Sequence, residues 1–145
     1  MGWKDKFLVV LGPVHGTFSV RAYKKLCRKM SGLKTTLRKR SQDCGVEFNI
    51  TLEEIKNMFL KAYGSDCPYC GKELTFRSIA CDHIIPLKKK GPSIKENLQL
   101  ICKACNTRKG PLNEKDFKMV MNWVSKQTLE VKEYLSRKLA KGGRY

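Results

Sequence analysis

Apolar residues recur at three- and four-residue steps through the first third of the chain: Tyr23, Leu26, Cys27, Met30, Leu33 and Leu37. That spacing puts them on one stripe of a helix, with Gly32 as a break or bend within it. Phe7 to Leu11 is a shorter apolar run, stopped by Gly12 and Pro13. It falls short of the roughly 7–15 residues of a signal-peptide core and reads as a first strand or a loosely packed arm. Thr51-Leu-Glu-Glu54 has the form of a capping box, in which the Thr hydroxyl and the Glu carboxylate each take a free backbone N–H. Leu52, Ile55, Met58 and Phe59 then give a helix face running to about Ala62, and Gly64-Ser-Asp66 stops it.

Beyond Asp66 the helical period is lost. Ile84 and Ile85, then Leu98, Leu100 and Ile101, suit short strands, connected through Pro86 and the basic stretch Lys88-Lys-Lys-Gly-Pro92. Asn113 opens another helix with Phe117, Val120, Met121 and Val124 on one face. Thr128 caps a last one carrying Leu129, Tyr134, Leu135 and Leu139, and the Gly142-Gly-Arg-Tyr145 end should fray. Helices surrounding a short stranded segment predict an α+β fold.

Composition adds a partner to this outline. The 145 residues suit one domain with a modest core, and 30 Lys plus Arg against 13 Asp plus Glu leave a net charge of +17. That excess predicts a polyanion, nucleic acid first, and no apolar run approaches the ~20 residues of a membrane-spanning helix. From Lys6 to Gln42 there is no acidic residue, while ten Lys or Arg occur, ending in Arg38-Lys39-Arg40. Residues 1–50 therefore read as a basic helical region that tracks DNA phosphates, with Arg38, Lys39 and Arg40 among the contacts. Residues 51–112 form the core and residues 113–145 the C-terminal helices.

Seven cysteines, an odd number, point to a reducing, cytoplasmic setting with thiols free for metal. Cys27, Cys44 and Cys81 stand alone and read as small buried hydrophobes. Cys67-Pro-Tyr-Cys70 and Cys102-Lys-Ala-Cys105 are different, because a two-residue gap lets both sulfurs of one turn meet the same ion. Two such turns complete a tetrahedron around a structural Zn²⁺, with no position left for water. The 31 residues between Cys70 and Cys102 make the insert an element in its own right.

Within the insert and just after it lie Asp82-His83-Ile-Ile-Pro86, Glu96-Asn97 and Asn106-Thr-Arg108-Lys109-Gly110. An acid, a histidine and two amides around zinc knuckles make a candidate hydrolytic site. In this combination the segment from Cys67 to about Gly110 resembles the HNH endonuclease family in its zinc-knuckle form. The resemblance implies a ββα-metal core stapled by the four-cysteine zinc site. It also implies Asp82 as a metal ligand, His83 as general base, Asn97 as the residue that pins the loop, and Asn106 as second metal ligand. Asn106 stands where the family name has a histidine, which bears on metal preference.

The chemistry fits independently. A histidine with an ordinary pKa near 6.5 can take a proton from water at neutral pH. A carboxylate and an amide oxygen suit a hard cation, Mg²⁺ or Mn²⁺. Arg108 and Lys109 read either as phosphate contacts or as decoration of a helix, and Lys88 to Lys90 are weaker candidates for phosphate. The resulting expectation is a metal-dependent DNA endonuclease, similar to the small basic nucleases of phages and mobile elements. Two alternatives stay open: a non-enzymatic zinc module that binds nucleic acid, and an RNA nuclease.

Overall fold

The apolar stripe of the basic region forms one uninterrupted helix, α1 (Val20–Cys44). The computed structural model of the chain describes residues 2, 4–7 and 20–140. Leu26, Met30, Leu37 and Ser41 lie at helical spacing along α1 and are sealed from solvent. Gly32, expected to break or bend the helix, continues it on the exposed side, with open space where a Cβ would point. Burial explains why: each enclosed Leu or Met contributes about 1.5–3 kcal/mol, against about 0.5–1 kcal/mol lost to a helical glycine. Gly32→Ala should therefore stabilise the protein by about 0.5–1 kcal/mol, read as a raised unfolding midpoint in urea. A lowered midpoint would mean that α1 needs to bend there.

Residues 8–11 of the expected first strand or arm, and the Gly142–Tyr145 end, lie outside the described residues. Phe7 belongs to a helical turn over residues 4–7 rather than to a strand, and is buried with its ring centroid 6.3 Å from that of Tyr23.

After α1 come β1 (Phe48–Asn49) and α2 (Leu52–Ala62), which starts on the expected capping box. Thr51 Oγ1 accepts from the Glu54 N–H at 3.1 Å, and Glu54 Oε2 accepts from the Thr51 N–H at 2.9 Å. Strand β2 (Ile79–His83) then pairs antiparallel with β4 (Leu98–Cys102), and β3 (Ser93–Ile94), in the loop between them, pairs parallel with β1. Helix α3 (Lys103–Lys109) follows β4 without a break.

Ile84 and Ile85 do not join the strand. The ladder runs from Ile79 opposite Cys102 to His83 opposite Leu98 and ends there. At Ile85 the backbone N–H and C=O both bond the Asn97 side chain instead, and Pro86 has no N–H to continue. Ile85 is left 47% exposed.

Asn113 caps α4 (Glu114–Ser125) by accepting from the Asp116 N–H at 2.8 Å, and Phe117 and Val124 of this helix are buried. The last helix, α5 (Leu129–Ala140), packs on α3 and α4 without fully burying any residue. The architecture is α+β: a ββα core with helices around it.

The expected division near residue 50 is not a division in packing. Leu26, Met30 and Leu37 of α1 share one apolar cluster with Ile55 and Phe59 of α2, the β2–β4 hairpin, and Cys67, Cys102 and Cys105. Lys29, one of the ten basic residues of the stretch read from sequence as tracking DNA phosphates, turns inward. Its Nζ donates to the carbonyls of Phe76 at 2.8 Å and Ile79 at 3.1 Å, between the rings of Phe59 and Phe76. Burial lowers its pKa. The bond ties α1 to the start of β2. Cys27, Cys44 and Cys81 are half-buried rather than enclosed.

Candidate active site and four-cysteine cluster

The first knuckle is closed by backbone alone. Gly71 donates to the Cys67 carbonyl at 2.9 Å and Cys67 to that of Lys72 at 2.8 Å, with Gly71 in the left-handed region at φ 69°. The second uses a helix start: Cys102 ends β4 and its Sγ caps α3, accepting from the Cys105 N–H at 3.3 Å. All four Sγ atoms lie within 4.8 Å of one another, and those of Cys70 and Cys102 are 3.7 Å apart. Four Zn–S bonds of about 2.3 Å in a tetrahedron need S···S edges of about 3.8 Å, so the cluster is compatible with a zinc site. Burial raises the Cys67 thiol, but the N–H groups of Cys102, Tyr69 and Cys70 outweigh it and bring the pKa down to about 7. Burial, then its neighbouring thiols, push Cys105 up. A divalent cation is the group that reconciles four such sulfurs.

Asp82 and His83, at the end of β2, and Asn106, on α3, line one cavity of about 340 Å³ together with Cys81, Lys88 and Arg40. Each wall has a sequence reason. Asp82 stands opposite Gln99 in the ladder, and Gln99 Nε2 donates to Asp82 Oδ2 at 2.9 Å and to the Tyr69 hydroxyl at 2.7 Å. The Tyr69 ring meets Phe117 edge-on at 4.8 Å, so α4 supports the carboxylate through two side chains. Asn97 holds the loop: its Oδ1 accepts from Ile85 N–H at 2.8 Å, and its Nδ2 donates to the carbonyls of Ile85 at 3.0 Å and Pro92 at 2.8 Å. Gly91 packs so closely there that a Cβ would sit 1.8 Å from the Ile85 oxygen, which admits glycine alone.

His83 is 6% exposed, and its Nε2 lies 2.8 Å from the Ser93 hydroxyl. Burial, then the cations of Arg40 and Lys109, push its pKa down to about 4. The imidazole is therefore neutral, with a lone pair to offer, throughout the physiological range.

The basic residues separate in space. Lys109, read from sequence as a phosphate contact or helix decoration, is 1% exposed. Its Nζ lies 3.0 and 3.2 Å from the two Asp82 oxygens and donates to the His83 carbonyl at 2.8 Å. Cys105 and Lys109 are four residues apart on α3 and share its inward side, so a cysteine bound for the cluster carries the lysine in with it. Arg108 is half-buried, its Nε has no partner among the described residues, and it is not part of the cavity wall. Arg38 stacks over the Phe48 ring at 5.3 Å and Lys39 is exposed, whereas Arg40 reaches the cavity. Lys89 pairs with Asp116 and Lys90 donates to the Cys44 carbonyl.

Sequence reasoning missed Gln99, Ser93 and Ser41. A signal existed for the last: Ser41 sits four residues after Leu37, a polar side chain on the buried stripe.

Two antiparallel strands, a pinned loop and a following helix, set around an acid, a histidine and an amide, define a ββα-metal core. The family model "HNH endonuclease" matches residues 67–112, the segment that carries this core. Over that segment, 46 of the chain's 145 residues, the chain is similar to the HNH endonuclease family. It is similar to the CRISPR-associated endonuclease Cas9 of Corynebacterium diphtheriae, with 42% identity over 45 residues, 30% of this chain and 4% of that protein. Among solved structures it is similar to the Type II-C Cas9 enzyme from Actinomyces naeslundii, at 18% identity and a TM-score of 0.38, over 99% of this chain and 20% of that one. The chain thus spans a small part of either relative's length. No helix among the described residues is long and apolar enough to cross a membrane.

Proposed function

We propose that this chain is a metal-dependent endonuclease that hydrolyses DNA phosphodiester bonds. The observation that carries the reading is the meeting of Asp82, His83, Asn106 and Arg40 in one polar cavity. The oxygen donors Asp82 and Asn106 fit a hard cation, Mg²⁺ or Mn²⁺, which when bound supplies charge relief at the phosphate and the leaving oxygen. His83 takes the proton of the attacking water. Asn97 holds the loop beside it, and Lys109 balances the buried Asp82 carboxylate. Arg40 faces the phosphate, and the exposed cations of α1 hold the flanking backbone. The four cysteines hold a structural Zn²⁺.

Conversion of supercoiled plasmid, with and without Mg²⁺, tests the reading against digestion of RNA. Magnesium-dependent cutting of plasmid supports it. Cutting of RNA alone, or binding without cutting, overturns it in favour of an RNA nuclease or a non-enzymatic module.

Arg40 gives a sharper expectation. Arg40→Gln should lower kcat about 100-fold, the scale for loss of one charge-stabilising donor, whereas Lys39→Gln should leave kcat near wild type. The wild-type kcat/KM should hold as pH falls from 8 through 6 and be lost on approach to about 4, because the base works only when unprotonated. Removing Arg40 takes away one cation that depresses His83, so the acid limb in Arg40→Gln should move to higher pH. An identical limb in both proteins would place Arg40 too far from His83 to act on it.

A further inference from the structure

Helix α4 buries one side and leaves the other bare. Phe117 and Val124 are enclosed, whereas Lys115, Lys118, Met119, Asn122, Trp123 and the C-cap Lys126 are all exposed. Steps of three and four residues align these six in one stripe along the helix. Trp123 is 55% exposed, and Met119, one turn before it, 60%. The first half of the stripe borders a hollow of about 490 Å³ lined by Glu114, Lys115, Lys118, Met119 and Asn122. The one carboxylate there, Glu114, pairs with Lys118 at 3.0 Å, an exposed contact on a helix surface that a phosphate can displace. The stripe also starts at the candidate active site. Gly110 and Pro111 line the cavity, and the Glu114 N–H donates to the Ile84 carbonyl, just past β2, at 3.1 Å. At a rise of about 1.5 Å per residue, Trp123 lies about 14 Å along the helix axis from that edge.

We propose that this stripe binds single-stranded DNA leaving the cavity, with the Trp123 indole stacked on an unpaired base. The proposal rests on the reading of DNA as the substrate. An indole face gains most against another flat π-surface, and a base offers one on each side. In a duplex those faces are covered by neighbouring bases, so a ring standing out from a helix finds a free face only on an unpaired strand. Lys115 and Lys118 precede the ring and Lys126 follows it, which puts cations along the backbone of a strand laid over the stripe. A cationic track with a stacking ring in it is the combination that holds single strands whatever their sequence. Met119 adds polarizable surface beside the indole. A protein partner calls for a different composition, because interface cores are depleted in lysine and this stripe sets three lysines around two apolar side chains. The consequence is a preference for substrates with an unpaired segment next to the scissile bond.

Binding of oligo(dT) and of a hairpin duplex to the full, zinc-loaded chain, with no Mg²⁺ added, tests this. The chain has two tryptophans, so the difference in fluorescence between wild type and Trp123→Phe isolates the indole on α4. Saturating oligo(dT) should quench that difference signal, and the duplex should leave it nearly unchanged. Trp123→Ala should weaken oligo(dT) binding by about 5- to 150-fold, the range for one stacked base, and duplex binding by less than about 2-fold. Trp123→Phe should recover most of the loss. Replacing Lys115 and Lys118 together by Gln should lower the slope of log affinity against log salt on oligo(dT) by about 0.7 per lost contact. An unquenched indole overturns the proposal, as does a Trp123→Ala loss that is equal on duplex and single strand. Unchanged oligo(dT) affinity in a folded Trp123→Ala overturns it too and returns the stripe to a protein contact. Should Trp123→Ala fail to fold, the quenching and Trp123→Phe decide. No cleavage is read: a protein that stacks oligo(dT) on Trp123 but never cuts loses the nuclease reading and keeps this one, and a protein that cuts plasmid without quenching does the reverse.

Discussion

His83→Ala should lower DNA cleavage by about two to four orders of magnitude, the usual contribution of a general base. The histidine lines the cavity beside Asp82 and is neutral at working pH, so its loss removes the acceptor for the water proton. Folding should survive. The side chain sits at the last ladder pair, its backbone bonds remain, and Ser93 keeps its bond to Ser41. Zinc content and DNA affinity should stay near wild type, because neither the Cys67, Cys70, Cys102 and Cys105 cluster nor the exposed Arg38 and Lys39 of α1 is held in place by the imidazole. Single-turnover cleavage with enzyme in excess isolates the chemical step from binding. Near-wild-type rates in a folded, zinc-loaded variant would remove His83 from the mechanism and leave the cavity without a base.

Cys67→Ser should abolish folding rather than merely weaken it. Cys67 and Cys105 are 2% and 0% exposed and belong to the same apolar cluster as Leu26 and Ile101, so the four-cysteine cluster and the core are one structure. Zinc held by such ligands contributes about 10–16 kcal/mol at pH 7, as much as the whole stability of an ordinary domain, about 5–15 kcal/mol. A serine oxygen in place of the thiolate forfeits much of that and leaves a hydroxyl in the apolar interior. Zinc content should fall from one per chain to near zero, and the cooperative thermal transition should vanish. Chelation of zinc from the wild type should reproduce the loss. A folded, zinc-free and active Cys67→Ser protein would mean that the four sulfurs do not hold a metal.

These two expectations draw on features of very different visibility. The cysteine pairs are evident in the bare sequence, because a two-residue gap already determines that both sulfurs of a turn face one point. The capping box at Thr51 and the stripe from Leu26 to Leu37 are equally local, each settled within one or two helical turns. Strand limits were harder. Ile84 and Ile85 have strand-forming side chains, yet β2 begins at Ile79, because strands are chosen by their partners and Asn97 captures the backbone of Ile85.

The working parts of the cavity depend on contacts that no local pattern encodes. Lys109 reaches Asp82 across 27 residues, and Ser41 reaches Ser93 across 52. Arg40 differs from Arg38 and Lys39 only in the direction α1 gives it once Leu26, Met30 and Leu37 are buried against the hairpin. By itself the sequence determined the paired cysteines, the cap of α2 and the apolar stripe of α1, since each follows from spacing along the chain, whereas the set Asp82, His83, Asn97 and Asn106 was legible only through the resemblance to the HNH family. Tertiary structure alone decided which cation is buried beside the carboxylate, which faces the cavity and which hydroxyl meets the imidazole. Those choices follow from how α1 and α3 lie against the β2–β4 hairpin, and that is set by packing of the shared core.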